Sequence, residues 1–363
     1  MILALADDFS GAAEVAGVAH RHGLQAMVVT EAPIPTAVEF VAVDMASRSL
    51  SAAEAKKQAV TWGGIAAEVT PSLLYKKTDS VLRGHLAEEL GALLGSTGGS
   101  LGLLIPSNPA RDRTISNGEY RIDGVSLAET EFARDPAFPI QSSHVTDLVP
   151  GAISLASGAP LPESGLVIGD TSSVEDLDHW AERTNGSVLP AGASPFLAAL
   201  LRNRGMRVVA QTEPSDLCDR NVLLACGSQS DNARQITESL SASGAPVFET
   251  DSTKEIAQRI AGAVAQSSVT VLRHPREANY SPEELTERIA AITSSVLSFC
   301  PNNPPHLCLE GGETAAAVLQ RLGETKFQVT HEWEPGVVTL VSENQLTTTV
   351  KPGSYRWSRQ LLG

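Results

Sequence analysis

Asp7 and Asp8 stand side by side where the apolar run "MILALA" ends and the small-residue stretch "FSGAAEVAG" begins. Carboxylates at such a junction suit two arrangements: one meets a ligand while the other caps the following helix, or both serve as cap and solvated turn. A second concentration of chemistry lies in "YKKTDSVLRGHLAEELGALL", where Lys76 and Lys77 end a strand, Asp79 and Ser80 open the next helix, and Arg83 falls within its first turn. Arginine suits a carboxylate and aspartate suits hydroxyls, so the cluster reads as a receptor for a hydroxylated carboxylic acid or as a solvated group of charges. Farther on, "ACGSQSDNARQ" and "LEGGETAAAV" put small residues between strand and helix. Gly311 and Gly312 can bare backbone N–H groups to a phosphate chain, or simply make a tight turn. No GxxxxGK[ST] stretch occurs, which excludes a P-loop enzyme.

These groups need a scaffold that collects them at strand ends. Apolar strands of about six residues alternate with helical patterns, the βαβ rhythm of an open parallel sheet. "MILALA", "QAMVVT", "VEFVAVD", "SLLYKK", "LGLLIPS", "GLVIGD" and "MRVVAQ" are the strands expected of a first series, and the helix "GAAEVAGVAHRHG" ends at Gly23. Between Pro106 and residue 150 the rhythm breaks into short segments around Asn117-Gly118 and Asp123-Gly124, which predicts a hairpin excursion covering a site. A second series starts near residue 213 with "NVLLACGS", "APVFET", "VTVLRHP" and "HLCLEGG", and the long helix after Ser281 opens with a capping box to Glu284. The C-terminal "QVTHEWEPGVVTLVSENQLTTTVKPGSY" reads as hairpins. The expected fold class is α/β with two domains, residues 1–212 and 213–363, each a mostly parallel sheet flanked by helices, with the β-hairpin excursion in the first.

Composition agrees. In 363 residues, 42% hydrophobic content with 29 glycines is globular, and 4% aromatics leaves the core to Ala, Val, Leu and Ile. A net charge of −15 without a basic stretch argues against nucleic acid as a partner. Cys218, Cys226, Cys300 and Cys308 form no CxxC pair, so neither zinc nor a disulfide is expected, and His144, His274 and His331 lie in no ligand-spaced cluster. The start "MILALADD" has no signal-peptide flank, and no apolar run approaches about 18 residues. A cytoplasmic protein without a membrane partner is expected.

"ALADDFSGAAEVAG", "KKTDSVLRGHLAEEL", "RTISNGEYRIDGVSLAETEFARDP", "GSQSDNARQI", "LEGGETAAAVLQRLG" and "EPGVV" follow one another in an order that resembles the four-carbon acid sugar kinases, over nearly the whole chain. The resemblance implies an N-terminal domain for a sugar acid (threonate, erythronate or 3-oxo-tetronate), a C-terminal domain for ATP with Mg²⁺, and phosphoryl transfer between them. It implies that Asp7, Asp8, Lys77, Asp79, Arg83 and Arg134 serve the acid, and that Ser228, Gly311, Gly312, Glu313, Thr314, Gly336 and Gly353 serve ATP. No metal ligand is assigned, and a homo-oligomer is compatible with it. His85 stands where the family more often has Asn, and "KPGSY" replaces a more glycine-rich ending.

Within that reading Asp8, ahead of Asp7, orients or deprotonates the attacking hydroxyl, with Asp79 as the rival base. Arg83 holds the substrate carboxylate and Lys77 the transferring phosphoryl group. A dehydrogenase would want GxGxxG in the first βα turn, where this chain has carboxylates. A non-catalytic protein binding a sugar acid or nucleotide on the same fold is the alternative.

Overall fold

The computed structural model describes residues 1–135, 138–211, 220–228, 231–250, 255–275, 280–353 and 355–362. Its first strands are β1 (Ile2–Ala6), β2 (Ala26–Val29), β3 (Phe40–Asp44), β4 (Leu73–Lys77) and β5 (Leu101–Ile105). The excursion follows as β6 (Arg113–Ser116), β7 (Glu119–Ile122) and β8 (Val125–Ser126), and then β9 (Ala152–Leu155), β10 (Gly165–Gly169) and β11 (Val188–Gly192). The second half adds β12 (Val222–Cys226), β13 (Val247–Glu249), β14 (Val269–Arg273), β15 (His306–Glu310), β16 (Lys326–Glu334), β17 (Val337–Ser342) and β18 (Thr347–Lys351).

Where one sheet per domain is expected, the strands join into a single 15-stranded sheet, ordered β13-β14-β12-β15-β18-β17-β16-β2-β3-β1-β4-β11-β5-β10-β9. The excursion forms a separate antiparallel sheet, β6-β7-β8. Pairing is parallel throughout except around the C-terminal hairpins, where β16 is antiparallel to both β17 and β2, and β17 to β18. The expected boundary at 212/213 lies outside the described residues.

These pairings make the parallel strands of the two halves run in opposite senses. Six interstrand steps separate β1 from β15; at about 20–25° of twist each they accumulate roughly 120–150°, which turns the two sets of carboxyl ends toward one side. Helix α1 (Phe9–Arg21) lies in the resulting curl, packed on β3 and β16 and on the helices Ser194–Asn203 and Gly312–Arg321.

Residue size decides how closely α1 approaches. Along β1, Ile2, Ala4 and Ala6 share the core with α1, whereas Leu3 and Leu5 pack with Trp62 of α2 (Ala52–Val69) and Leu90 of α3 (Leu86–Thr97) on the other face. Alanines on the α1 face let the helix sit close. Every residue from Phe9 to Ala19 is buried, and a Cβ on Gly17 would stand 2.6 Å from a Val338 methyl group. Gly23, at φ +84°, ends the helix as expected.

Two expectations change. "MRVVAQ" forms no strand: Val208 and Val209 are exposed, at 59% and 47%. The sheet position goes instead to β11, whose Pro190 argues against a strand when read from sequence. Helix α3 starts at Leu86, so Asp79, Ser80 and Arg83 lie in a loop ahead of it. That loop turns through Leu82 at φ +64° and Gly84 at φ +96°, and a helix accepts neither conformation.

The capping box of Ser281 and Glu284 is present. Cys226, Cys300 and Cys308 are free, while Cys218 lies outside the described residues. Among the described residues no helix is long and apolar enough to cross a membrane.

Candidate active site

The site begins where β1 stops. The Asp7 carbonyl accepts from the backbone N–H groups of Ser47 and Arg48 at 3.0 and 3.1 Å, so the loop after β3 is clamped over the end of β1. This brings Arg48 onto both carboxylates: Nε donates to Asp7 Oδ2 at 2.7 Å and Nη2 to Asp8 Oδ1 at 3.0 Å.

Asp8 is the N-cap of α1, accepting from Gly11 N at 2.9 Å, and Ser10 Oγ donates to its Oδ2 at 2.6 Å. Asp7 is 2% exposed, and its Oδ1 has no hydrogen-bond partner among the described residues. Burial pushes the Asp7 pKa up, but Arg48, Lys76 and Lys77 outweigh it and hold the carboxyl below its ordinary value. The adjacent pair has therefore divided its work, with Asp8 as the cap and Asp7 as a buried, ionised acceptor.

The neighbouring strand end supplies cations. Lys77 Nζ lies 3.2 Å from Glu14 Oε2, and Lys76 Nζ lies 2.9 Å from Glu89 Oε2, both pairs being buried. In the loop beyond, Asp79 accepts from Arg83 through both carboxylate oxygens, at 2.9 and 3.0 Å, and Arg83 Nη1 also reaches Asp135 at 3.0 Å. Burial raises the Asp79 pKa, but Arg83, with Arg48 and Lys77 behind it, holds it far below the ordinary range.

The excursion covers this loop as expected. Tyr120 donates to the Ser80 carbonyl, Arg113 donates to the Ser80 hydroxyl, and the Phe132 ring lies 5.6 Å from the Arg83 guanidinium. Arg134 is exposed at the end of the turn Glu131–Arg134. His85 Nε2 donates to the Leu50 carbonyl, 2.6 Å away.

The second half contributes backbone rather than charge. Gly311, at φ +98°, is the N-cap of the helix Gly312–Arg321, a conformation that favours glycine. A Cβ on Gly312 would lie 2.4 Å from Asp8 Oδ2 and 2.8 Å from Ser10 Oγ. The two halves touch there. A Cβ on Gly227 would meet Thr314 Oγ1 at 1.8 Å, and one on Gly353 would lie 3.3 Å from Ser228 Oγ, so Gly311, Gly312, Thr314, Ser228 and Gly353 gather in one loop cluster. Glu313 is exposed beside it.

Gly336 sits on a second bridge. A Cβ there would meet the Tyr355 ring at 2.5 Å, and Tyr355 donates to Glu14 Oε1 at 2.8 Å. Ser194 donates to the same oxygen at 2.8 Å, and the Arg111 guanidinium stacks 3.6 Å from the Tyr355 ring centre. Glu14 thus ties β4, the start of the helix Ser194–Asn203 and the C-terminal segment together.

Arg48, Asp44, Glu14, Tyr355 and Gly227 escape the sequence reading. Asp44 carried a usable signal, since like Asp7 it ends an apolar strand. Asp44 is 4% exposed, and burial, with the Asp8 and Asp7 charges adding to it, pushes its pKa up to about 7. Asp170, which ends β10 in the same way, is structural: its carboxylate accepts from the backbone of Asn117 and Gly118 at 2.7 and 3.0 Å and anchors the excursion.

The fold and the site together define an α/β protein whose carboxylate-and-cation cluster faces a glycine-built helix N-terminus. Residues 2–159 match the family described as Sugar-binding N-terminal domain. The chain is 25% identical to a Salmonella typhimurium D-threonate kinase, over 92% of this chain and 89% of that one. It is 24% identical to a Heliobacterium modesticaldum D-erythronate kinase, over 92% and 88%. A solved structure from Salmonella typhimurium LT2, 19% identical, shares the fold at a TM-score of 0.80 over 99% of this chain and 97% of that one. Over most of its length the chain is thus similar to kinases named for four-carbon sugar acids, and its first 159 residues carry the sugar-binding domain.

Proposed function

We propose that the protein is an ATP-dependent kinase that phosphorylates a hydroxyl of a four-carbon sugar acid such as threonate, erythronate or a 3-oxo-tetronate. The observation that carries this is the contact between Asp8 and the Gly311–Gly312 turn, where a Cβ on Gly312 would come within 2.4 Å of Asp8 Oδ2. A helix N-terminus is a ready site for phosphates, and here it opens directly onto the carboxylate pair at the end of β1. Donor and acceptor would therefore meet without a large rearrangement.

On the acid side, Asp7 Oδ1, buried without a partner among the described residues, is an acceptor for a substrate hydroxyl. Arg83, with 27% of its side chain exposed, supplies a guanidinium for the substrate carboxylate. Asp8 holds α1 and Arg48 in place and orients the attacking group. Asp79, locked to Arg83, acts by aiming that guanidinium. Lys77 adds positive potential where the phosphoryl group passes.

On the nucleotide side, the backbone N–H groups of Gly312 and Thr314 fit the phosphates, while Gly311, whose own N–H donates to the Lys351 carbonyl, shapes the surrounding loops with Ser228, Gly336 and Gly353. The fit is one of space, since side chains larger than glycine would fill it. Among the described residues no group of three or more His, Cys, Asp or Glu is arranged to hold a metal ion. Mg²⁺ would neutralise charge on the ATP phosphates.

The test is a panel of four-carbon acids incubated with ATP and Mg²⁺ and read by mass spectrometry for one added phosphate. A phosphorylated product from at least one acid is expected, together with a rise in Tm on adding the nucleotide. A thermal shift with an acid or nucleotide but no product from any acid would favour the non-catalytic binding protein instead.

A further inference from the structure

Three carboxylates share the end of the β1–β3 pair, and the structure gives them unequal partners. Ala6 and Asp44 lie in register on adjacent parallel strands, so Asp44 ends β3 beside the point where Asp7 and Asp8 leave β1. Arg48 is the guanidinium among them, and its hydrogen bonds go to Asp7 and Asp8, at 2.7 and 3.0 Å. Asp8 is further engaged by Gly11 N and Ser10 Oγ. Asp44 Oδ1 accepts from Ala46 N at 2.8 Å, and Oδ2 accepts no hydrogen bond among the described residues. Beside it, Asp7 Oδ1 is buried and unpartnered, an opening that a ligand donor would fill.

We propose that Asp44 is the catalytic base of this reaction, an assignment that rests on the kinase reading above. The Asp44 carboxylate takes the proton of the acceptor hydroxyl as that oxygen bonds to the γ-phosphorus of ATP. The bond from that phosphorus to the bridging oxygen of the β-phosphate breaks, and ADP leaves with the electron pair. Asp7 and Asp8 are poorer candidates for this step: the ion pair with Arg48 makes Asp7 a weak proton acceptor although its Oδ1 is open to a ligand hydrogen bond, and both Asp8 oxygens are engaged by Arg48, Gly11 and Ser10. Asp79 is poorer still, held through both oxygens by Arg83.

The electrostatic surroundings agree with the geometry. Asp7 and Asp8 press on Asp44 from β1, Arg48 answers from its own loop, and Lys76 and Lys77 on β4 act on Asp7. Burial with that repulsion leaves Asp44 titrating at about 7, where a base is half available at neutral pH and still strong enough to accept a proton.

The experiment compares wild type with Asp44→Asn and Asp44→Glu on whichever acid is phosphorylated. Asp44→Asn keeps an oxygen for the Ala46 N–H, so the loop should hold. Its kcat is expected to fall by about 100-fold or more, with KM for the acid and the Tm rise on adding ATP little changed. The acid limb of the wild-type kcat/KM profile, centred near pH 7, should vanish in Asp44→Asn and return, displaced, in Asp44→Glu. Asp44→Asn turning over within about threefold of wild type, or losing rate with the limb unmoved, overturns the assignment of the base while leaving the kinase reading intact. If Asp44→Asn does not fold, Asp44→Glu decides: a full rate with an unmoved limb overturns the base, and a slowed rate with a displaced limb supports it. A wild-type protein that phosphorylates no acid overturns the kinase reading, and the base with it.

Discussion

On the β1–β4 side the candidate site is built from side chains. Asp7, Asp8, Asp44, Lys76, Lys77, Asp79, Arg83 and Arg48 crowd into a few strand ends and loops, most of them buried and cross-paired. Across from them, at Gly227, Gly311, Gly312 and Gly353, the candidate site is built from backbone, and two of these positions, Gly227 and Gly312, leave no room even for a methyl group. The first side can discriminate, because fixed charges reject a ligand that lacks the matching groups. In the proposed kinase the second would take the nucleotide, which needs phosphate binding more than discrimination. Substitutions should therefore fail differently on the two sides, through electrostatics on one and through space on the other.

The largest effect is expected at Arg48. Removing its guanidinium in Arg48→Ala strands the 2% exposed Asp7 without its ion pair, and should cost about 3–5 kcal/mol of stability at neutral pH. Chemical denaturation would read this, and a loss below about 1 kcal/mol would mean that Lys76 and Lys77 suffice for Asp7.

Gly312→Ala tests the opposite side. The added Cβ, 2.4 Å from Asp8 Oδ2, must displace a carboxylate pinned by Ser10, Gly11 and Arg48. A fall in kcat/KM of about 100-fold, or about 2.7 kcal/mol, is expected with Tm little altered. Wild-type kinetics would show that the two sides separate enough in solution for the methyl group to fit.

A pH experiment sets the two kinds of carboxylate against each other. Asp7, depressed when folded, contributes stability that is present above its unfolded pKa and lost as pH falls through the folded one. Asp44 has the opposite sign: its pKa rises from 3.8 to about 7 on folding, so stability declines as pH climbs between those values and the penalty is complete above 7. That rise corresponds to roughly 4 kcal/mol, of which about half should be recovered in Asp44→Asn, since the amide is still a buried polar group. Asp44→Asn should thus melt above wild type at pH 8 and level with it below about pH 4. Equal melting at both would place Asp44 in contact with more water than its burial indicates.

The smallest effect falls on the bridge between the two sides. Tyr355→Phe removes the hydroxyl that donates to Glu14 but keeps the ring stacked on Arg111, and should cost about 1 kcal/mol. The Tm rise on adding the nucleotide should survive. Its loss would make the Glu14–Tyr355 link part of the nucleotide site itself.

Much of this arrangement was legible in the chain. The strand ends at Asp7 and Lys77, the helix stop at Gly23, the excursion around Asn117-Gly118 and the glycine turn at 311–312 all follow from local periodicity and turn chemistry. The failures have physical causes. Pro190 disguised β11, and the αL residues Leu82 and Gly84 broke a helix whose apolar spacing appeared to begin earlier. Arg48 carries no local signal in the sequence, because only the clamp of its backbone onto the Asp7 carbonyl aims it at the two carboxylates.

The sequence by itself determined the α/β alternation, the two charge-bearing strand ends and the glycine turn, because each depends on residues within a turn or a strand of one another. Only the tertiary structure decided that these meet. The twist of one continuous sheet brings β1 and β15 to the same end of α1, across some 300 residues of chain, and no local preference records that distance. It also decided how Asp7 and Asp8 differ. Their types and neighbours are nearly the same, and it is burial, one arginine and a helix cap that make Asp7 the open acceptor and Asp8 the cap.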